Sequence, residues 1–171
     1  LVPVVIAYHH GMLDAITYAQ ASTAVTHRSA DCLSASGLFA QILFRALNGG
    51  EDKLALLSPP FSAQCTPSLE PILQGTYIEK DEGSISGSGW VVESLEAALW
   101  AFWRGADFKE TLLLAANLGD DADTTAAIAG QLAGAFYGEE SIPRAWRERL
   151  FRAEDIGLLS ERLLGLELGL A

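Results

Sequence analysis

The chain has 171 residues, half of them hydrophobic, and a formal net charge of −11. A chain of this length can bury one compact core, and the excess of acid excludes duplex nucleic acid, whose binding needs a basic face. The sequence contains no uninterrupted run of about 20 apolar residues, so it predicts no membrane-spanning helix. The two cysteines, Cys32 and Cys65, do not have the spacing of a metal site, and the sequence shows no signal-peptide pattern. We therefore predict one domain over residues 1–171 in the reducing cytoplasm.

Helical periodicity dominates the chain, and no alternating strand pattern competes with it, which predicts a compact, multi-helix, all-α domain. In chain order, the predicted helices run from Met12 to Val25, Ala30 to Asn48, a short one from Glu51, Leu69 to Tyr77, Val92 to Arg104, Phe108 to Ala116, Thr124 to Tyr137, Pro143 to Leu150 and Glu154 to Leu164. Asp107 and Glu110 have capping-box spacing, and Pro143 fits a first helical position. The segments Ser58 to Pro60 and Asp81 to Gly89 are predicted loops.

The segment from Asn117 to Thr125 places three aspartates at a junction between two helices. Asp120, Asp121 and Asp123 repel one another if all are ionised, unless water, backbone N–H groups or a cation offsets the repulsion. Oxygen donors of this kind suit Mg²⁺, Mn²⁺ or Ca²⁺ better than zinc. The alternative from the residues alone is that Asp123 or Thr124 is only a helix N-cap and the other acids are solvated.

Glycines recur at intervals of four after this acidic segment, at Gly130, Gly134 and Gly138. Residues four apart share one face of a helix, and glycine removes side-chain bulk there. We therefore expect another backbone to approach this face closely and to hold the acidic loop rigidly.

The residues from Asn117 to Gly138, followed by Ile142-Pro143 and Trp146, resemble the C-terminal signature of the ADP-ribosylglycohydrolases. Members of that family are all-α enzymes that use a pair of divalent ions to hydrolyse the glycosidic bond of ADP-ribose. Their closing motif Gly-x-Asp-x-Asp-Thr falls here on Gly119, Asp121, Asp123 and Thr124. The resemblance implies that Asp121, Asp123 and Thr124 are ligands of Mg²⁺ or Mn²⁺, with Asp120 as an outer-shell acceptor.

Two upstream segments are also similar to the family. The segment from Ser88 to Trp100 resembles its glycine loop and following helix, where the residue after the glycine is usually a tyrosine that contacts the nucleotide. Here Trp90 follows Gly89; it can stack on a base or ribose but lacks the phenol hydroxyl. Without the resemblance, Trp90 would be interpreted as a hydrophobic staple.

Thr26-His27 resembles the Thr-His pair that ends the corresponding helix of the family, in which the histidine faces the ligand cleft. The resemblance implies that His27, Gly89 and Trp90 contact the substrate. From the residues alone, a single histidine at a helix end more commonly caps the helix or complements its dipole.

Leu1-Val2-Pro3-Val4 resembles the point just after the family's Gly-Asn-Gly phosphate loop. An intact member has an N-terminal portion with a Thr-Asp-Asp ligand cluster and the acidic residue near the scissile bond. We therefore expect a truncated domain whose N-terminal portion is missing, with only part of the two-ion site. No catalytic acid or base is assigned in this chain.

The function implied is divalent-metal-dependent hydrolysis of ADP-ribose attached to a protein side chain or small acceptor, with a complementary N-terminal fragment as a further partner. Two alternatives remain. One is a catalytically impaired fragment or pseudoenzyme that binds nucleotide or a partner. The other is a purely structural helical domain, which predicts neither metal nor nucleotide binding.

Overall fold

The computed structural model describes residues 1–49, 52–58, 61 and 64–166, which contain helices and no strand. The α-helices are α1 (Val2–Ala7), α2 (Met12–Thr23), α3 (Ala30–Asn48), α4 (Lys53–Leu57), α5 (Glu70–Leu73), α6 (Val91–Arg104), α7 (Phe108–Asn117), α8 (Ala122–Tyr137), α9 (Arg144–Arg147) and α10 (Ala153–Leu164). Short 3₁₀ helices cover Pro67–Leu69, Thr76–Glu79, Glu82–Ser84 and Glu139–Ser141. The predicted all-α class is confirmed.

The core is built by α3, α6 and α8, which pack on one another. Their inward faces bury large apolar side chains such as Leu38 of α3, Phe102 of α6 and Leu132 of α8, none more than 1% exposed. Helix α2 covers the outside of α3, and α7 packs along α8. None of the described helices is both long enough and apolar enough to cross a bilayer.

Local capping signals explain why α3 and α7 begin where the sequence predicts. The Ser29 hydroxyl accepts a hydrogen bond from the backbone N–H of Cys32, and the Asp107 carboxylate accepts one from that of Glu110 at 2.7 Å. The Glu110 carboxylate accepts from the N–H of Ala106, one residue before the position of an ideal capping box. The boundaries predicted for α3, α6 and α7 are confirmed to within one residue.

Helix α1 was not predicted. Its six residues, VPVVIA, are too few to show helical periodicity and are mostly β-branched. It forms because it packs against α2, α3 and α10, and the N–H of Val2 donates to Gln131 Oε1 of α8 at 3.2 Å. Tertiary contacts therefore outweigh local propensity there.

Several predicted boundaries are wrong. Helix α2 ends at Thr23 rather than Val25, and the helix expected from Leu69 to Tyr77 is broken where Gly75 takes a left-handed φ of 68°. Pro143 is the N-cap of α9 rather than its first residue, and α9 ends at Arg147. The loop expected from Asp81 to Gly89 contains a 3₁₀ turn.

Two expectations fall partly outside the described residues. A short helix was expected from Glu51, which lies outside the described residues. Helix α4 is described from Lys53, and the side chain of Asp52 is its N-cap. Pro59 and Pro60, part of an expected loop, also lie outside the described residues.

The glycine face of α8 packs against side chains rather than a backbone, which corrects the expectation from spacing. A Cβ on Gly130 would lie 3.6 Å from Leu112 Cδ1, and one on Gly134 would lie 3.9 Å from Phe108 Cε2, both on α7. Gly138 lies past the helix, as its C-cap, with φ of 81°.

The turn between α6 and α7 has no room for a side chain at Gly105, and this yields a test of the packing. A Cβ there would lie 2.6 Å from the backbone nitrogen of Thr111, a residue that is fully buried. Gly105→Ala should therefore lower the free energy of unfolding by about 2–3 kcal/mol, measured by denaturant titration. The control is Gly157→Ala in α10, where a Cβ meets nothing within 4 Å; equal stabilities for the two variants would contradict this packing.

Candidate functional site

A cavity of about 350 Å³ lies where the N-terminal ends of α6 and α8 meet the side of α3. Phe39, Leu95 and Ile128 form part of its apolar wall. Its rim carries residues from the α2–α3 connection, from the segment before α6 and from the start of α8. The cavity therefore collects polar groups from three separate parts of the chain on an apolar base, as ligand pockets generally do.

Asp121 belongs to the cavity wall and is the N-cap of α8. Its backbone N–H donates to the carbonyl oxygen of Gly87 at 3.0 Å, which fixes the acidic loop against the segment before α6. Its side chain makes no capping hydrogen bond within the described part of the chain, whereas Ser29 and Asp107 do cap their helices. The Asp121 carboxylate is thus not used to begin the helix and lies at the cavity.

The other predicted ligands take different positions. Helix α8 begins at Ala122, so Asp123 and Thr124 lie in its first turn; the alternative that one of them is the N-cap is wrong. Thr124 lines the cavity, whereas Asp123 and Asp120 are exposed and are not among its lining residues. Among the described residues, no three His, Cys, Asp or Glu side chains form a group that could hold a metal ion.

The backbone before α8 is unusual. Gly119 has φ of 80° and Asp120 has φ of 50°, so two consecutive residues are left-handed. Glycine adopts this region freely, and aspartate is one of the few other residues that tolerate it. This turn reverses the chain after α7 and brings Asp121 to Gly87.

Gly87 lies beneath the acidic loop, where the space is tight. A Cβ on Gly87 would lie 3.2 Å from Thr125 Oγ1 and 3.4 Å from the carbonyl oxygen of Gly119. Thr125 is fully buried, and its hydroxyl has no hydrogen-bond partner among the described residues. A side chain at position 87 would therefore press on Thr125 at the start of α8, next to the loop that precedes Asp121.

Trp90 and His27 lie at the rim of the same cavity. Trp90 is the N-cap of α6 and is 47% exposed, so it is not the staple residue that would precede a cap and pack inward. His27 is in the α2–α3 connection, where its Nδ1 lies 3.0 Å from Thr26 Oγ1. Gly89 also lines the cavity. A Cβ atom built on Gly89 would lie 4.0 Å from Asp121 Oδ2.

Glu93 was not singled out from the sequence. Its Oε2 accepts hydrogen bonds from Ser86 Oγ, at 3.0 Å, and from Ser88 Oγ. It therefore braces the segment that leads into Trp90. In the sequence, two serines precede an acid in the first turn of a helix. This pattern is the same as that of ordinary helix capping, so it did not indicate a special role for Glu93.

The donor chemistry fits a hard divalent ion. Asp121, Asp123 and Thr124 offer two carboxylates and a hydroxyl within one helical turn; the Asp121 carboxylate is free of a capping role and lies at the cavity with Thr124, whereas Asp123 does not line it. Mg²⁺ takes six oxygens in near-octahedral geometry, so these side chains would supply only part of a coordination shell. The residues present fit the ion in kind and leave ligand positions for water, substrate or further protein groups.

Comparison with known proteins shows which family the chain belongs to. The sequence profile of the ADP-ribosylglycohydrolases matches residues 1–169. The chain belongs to the ADP-ribosylglycohydrolase family. It is 38% identical over 163 residues to the ADP-ribosylarginine hydrolase Tri1 of Pseudomonas putida (strain GB-1), and 40% identical over 141 residues to that of Serratia proteamaculans (strain 568). These alignments cover 95% and 81% of the chain.

A solved structure also resembles the chain closely. It is described as an ADP-ribosylglycohydrolase-related protein complex, with a TM-score of 0.87 and 40% sequence identity over 96% of the chain. The chain covers 57% of that structure, and 43% and 37% of the two curated hydrolases. It therefore spans less than half the length of these two family members.

The tight packing at Gly87 gives a matched pair of substitutions. Gly87→Ala should press on Thr125 and the adjoining acidic loop, shifting the backbone amide signal of Asp121 in an ¹⁵N NMR spectrum. Gly83→Ala, in the same connection but with nothing within 4 Å of its Cβ, is the control. An Asp121 amide signal at the wild-type position in Gly87→Ala would contradict the contact.

Proposed function

We propose that this chain forms the ADP-ribose- and metal-binding part of an enzyme that hydrolyses the glycosidic bond of ADP-ribosylated substrates. The observation that carries the proposal is the single cavity that brings together Asp121, Thr124, Trp90 and His27 from segments far apart in sequence. Family membership supports the reaction class, and the names of the two hydrolases favour arginine as the acceptor.

The cavity suits part of a nucleotide-linked sugar. Its volume of about 350 Å³ lies at the lower end of the range for small-molecule pockets, so ADP-ribose would fill it and extend over the rim. The half-exposed indole of Trp90 offers a face on which an adenine or a ribose can stack. His27 offers a ring nitrogen for hydrogen bonding to a hydroxyl group.

Mg²⁺ or Mn²⁺, two ions in an intact site, would be held by Asp121, Asp123 and Thr124, with Asp120 as an outer-shell acceptor. When bound, the ions supply orientation of the ribose hydroxyls and of the attacking water. The first N–H groups of α8 have no partners within the helix and point toward its N-terminal side. They would attract a phosphate oxygen there.

Hydrolysis breaks the bond between the anomeric carbon of the ribose and the acceptor atom. The water oxygen joins the anomeric carbon, and a proton goes to the acceptor. In this proposal the chain binds and orients the substrate, while no acid or base is assigned within it. The groups that complete the ion shell and move the proton would come from protein other than residues 1–171; the chain spans less than half the length of the two curated hydrolases.

A second candidate is binding of ADP-ribose without hydrolysis, since no acid or base is assigned among the residues that line the cavity. The two differ only in turnover, so they share the binding residues. A purely structural domain differs from both, since it needs neither metal nor nucleotide.

Calorimetric titration of the chain with MnCl₂ and MgCl₂, and with ADP-ribose in their presence, tests the proposal. Asp121→Asn should weaken metal binding by roughly tenfold or more, because a neutral amide is a poorer ligand than a carboxylate. Asp81→Asn is the control: Asp81 is exposed, and its side chain does not cap the 3₁₀ turn that follows it. Equal affinities in the two variants would contradict the role of Asp121.

Turnover is measured separately, as ADP-ribose released from an arginine-modified protein and from a serine-modified one. Release from the arginine-linked substrate supports the enzyme and its acceptor. Binding without release in either assay favours the second candidate. Absence of heat for both metal and ADP-ribose would leave the structural domain as the explanation.

A further inference from the structure

Resting on the proposed function, we propose that Glu93 is a positioning residue that sets the orientation of Trp90 at the ligand cavity. Glu93 lies in the first turn of α6, and Trp90 is the N-cap of that helix. Glu93 does not line the cavity, whereas Trp90 does. Its effect on a ligand would therefore pass through the segment that it holds.

The hydroxyl of Ser88 is the link between the two residues. Ser88 Oγ donates to Glu93 Oε2 and accepts a hydrogen bond from the backbone N–H of Trp90 at 3.2 Å. In an ordinary capping box, the glutamate at the third helical position bonds the N-cap N–H directly. Here a serine hydroxyl stands between them, so the carboxylate also fixes the segment before the helix.

Further hydrogen bonds make this segment rigid. Ser86 Oγ donates to the same Glu93 oxygen at 3.0 Å, and Ser94 Oγ donates to the carbonyl oxygens of Ser88, at 2.6 Å, and of Trp90, at 3.2 Å. A carboxylate oxygen accepts two hydroxyl donors more strongly than a neutral acceptor does. Removal of Glu93 would leave both serine hydroxyls without their acceptor and free the segment to move.

The braced segment also reaches the acidic loop. Gly87 lies between the two serines, and its carbonyl oxygen accepts the N–H of Asp121 at 3.0 Å. Glu93 thus links the backbone of Trp90 and, through Gly87, the backbone of Asp121 in one arrangement. A side chain that touches no ligand atom could in this way govern how well the rim is preorganised.

The first test observes Trp90 without any ligand. The chain contains four tryptophans, so the indole N–H signals in an ¹⁵N NMR spectrum can be assigned with Trp90→Phe. Glu93→Ala should shift and broaden the Trp90 signal while the other three keep their positions. Glu93→Gln should restore most of the wild-type spectrum, because the amide oxygen keeps the shape and can still accept. Glu82→Ala, an exposed acid in the same connection, is the matched control.

The second test measures ADP-ribose affinity by calorimetry. Glu93→Ala should weaken it roughly tenfold, the loss expected when hydrogen bonds to a charged group are removed. In the Trp90→Ala background, the same substitution should change it by less than about twofold, since the residue through which Glu93 acts is gone. A role in α6 stability alone would produce no such dependence on Trp90.

A wild-type Trp90 signal in Glu93→Ala overturns the proposal, and so does an equal loss of affinity in both backgrounds. If Glu93→Ala does not fold, Ser88→Ala removes the linking hydroxyl with a smaller change and must perturb Trp90 in the same way. If the wild-type chain binds no ADP-ribose, the proposed function fails, while the ligand-free spectra still decide whether Glu93 positions Trp90.

Discussion

The candidate site depends on one backbone hydrogen bond, from the N–H of Asp121 to the carbonyl oxygen of Gly87, 3.0 Å long. Helices α6 and α8 pack side by side in the core, which brings their N-terminal ends close together. Core packing alone leaves the loops before those helices free to diverge. The Asp121–Gly87 bond joins them, so the acidic loop and the segment carrying Trp90 form opposite parts of one rim.

That bond requires an uncommon backbone path. The chain leaves α7 and reverses through Gly119 and Asp120, both left-handed, before α8 begins. For Asp120 this conformation costs on the order of 1 kcal/mol, and such strain is kept where the surrounding structure enforces it. Gly87 lies beneath the loop, where a Cβ would require Thr125 to give way by a few tenths of an ångström. This backbone path places Asp121 at the cavity while Asp120 and Asp123 stay exposed.

The sequence predicted the long helices well and the connections poorly. Helix α3 has a serine cap, a continuous apolar pattern and a closing glycine, so its bounds follow from local chemistry. Helix α1 has none of these signals and owes its existence to contacts with other helices. In the site, the acidic motif indicated Asp121 and Thr124, which line the cavity, and Asp123, which does not. Glu93 was missed because its partners are serines in irregular backbone, whose positions only the folded chain reveals.

Electrostatics then explains how so acidic a chain could accept a diphosphate. No lysine or arginine lines the described cavity, so a bound anion would not be neutralised by a side chain there. The remaining sources of positive potential include the N-terminal ends of α6 and α8, each equivalent to about half an elementary charge, and the proposed divalent ion on the Asp121 side. Since the helix ends alone are weak, the ion would carry most of the attraction. Metal and ADP-ribose should accordingly strengthen each other's binding by the same factor, as linkage between two sites requires.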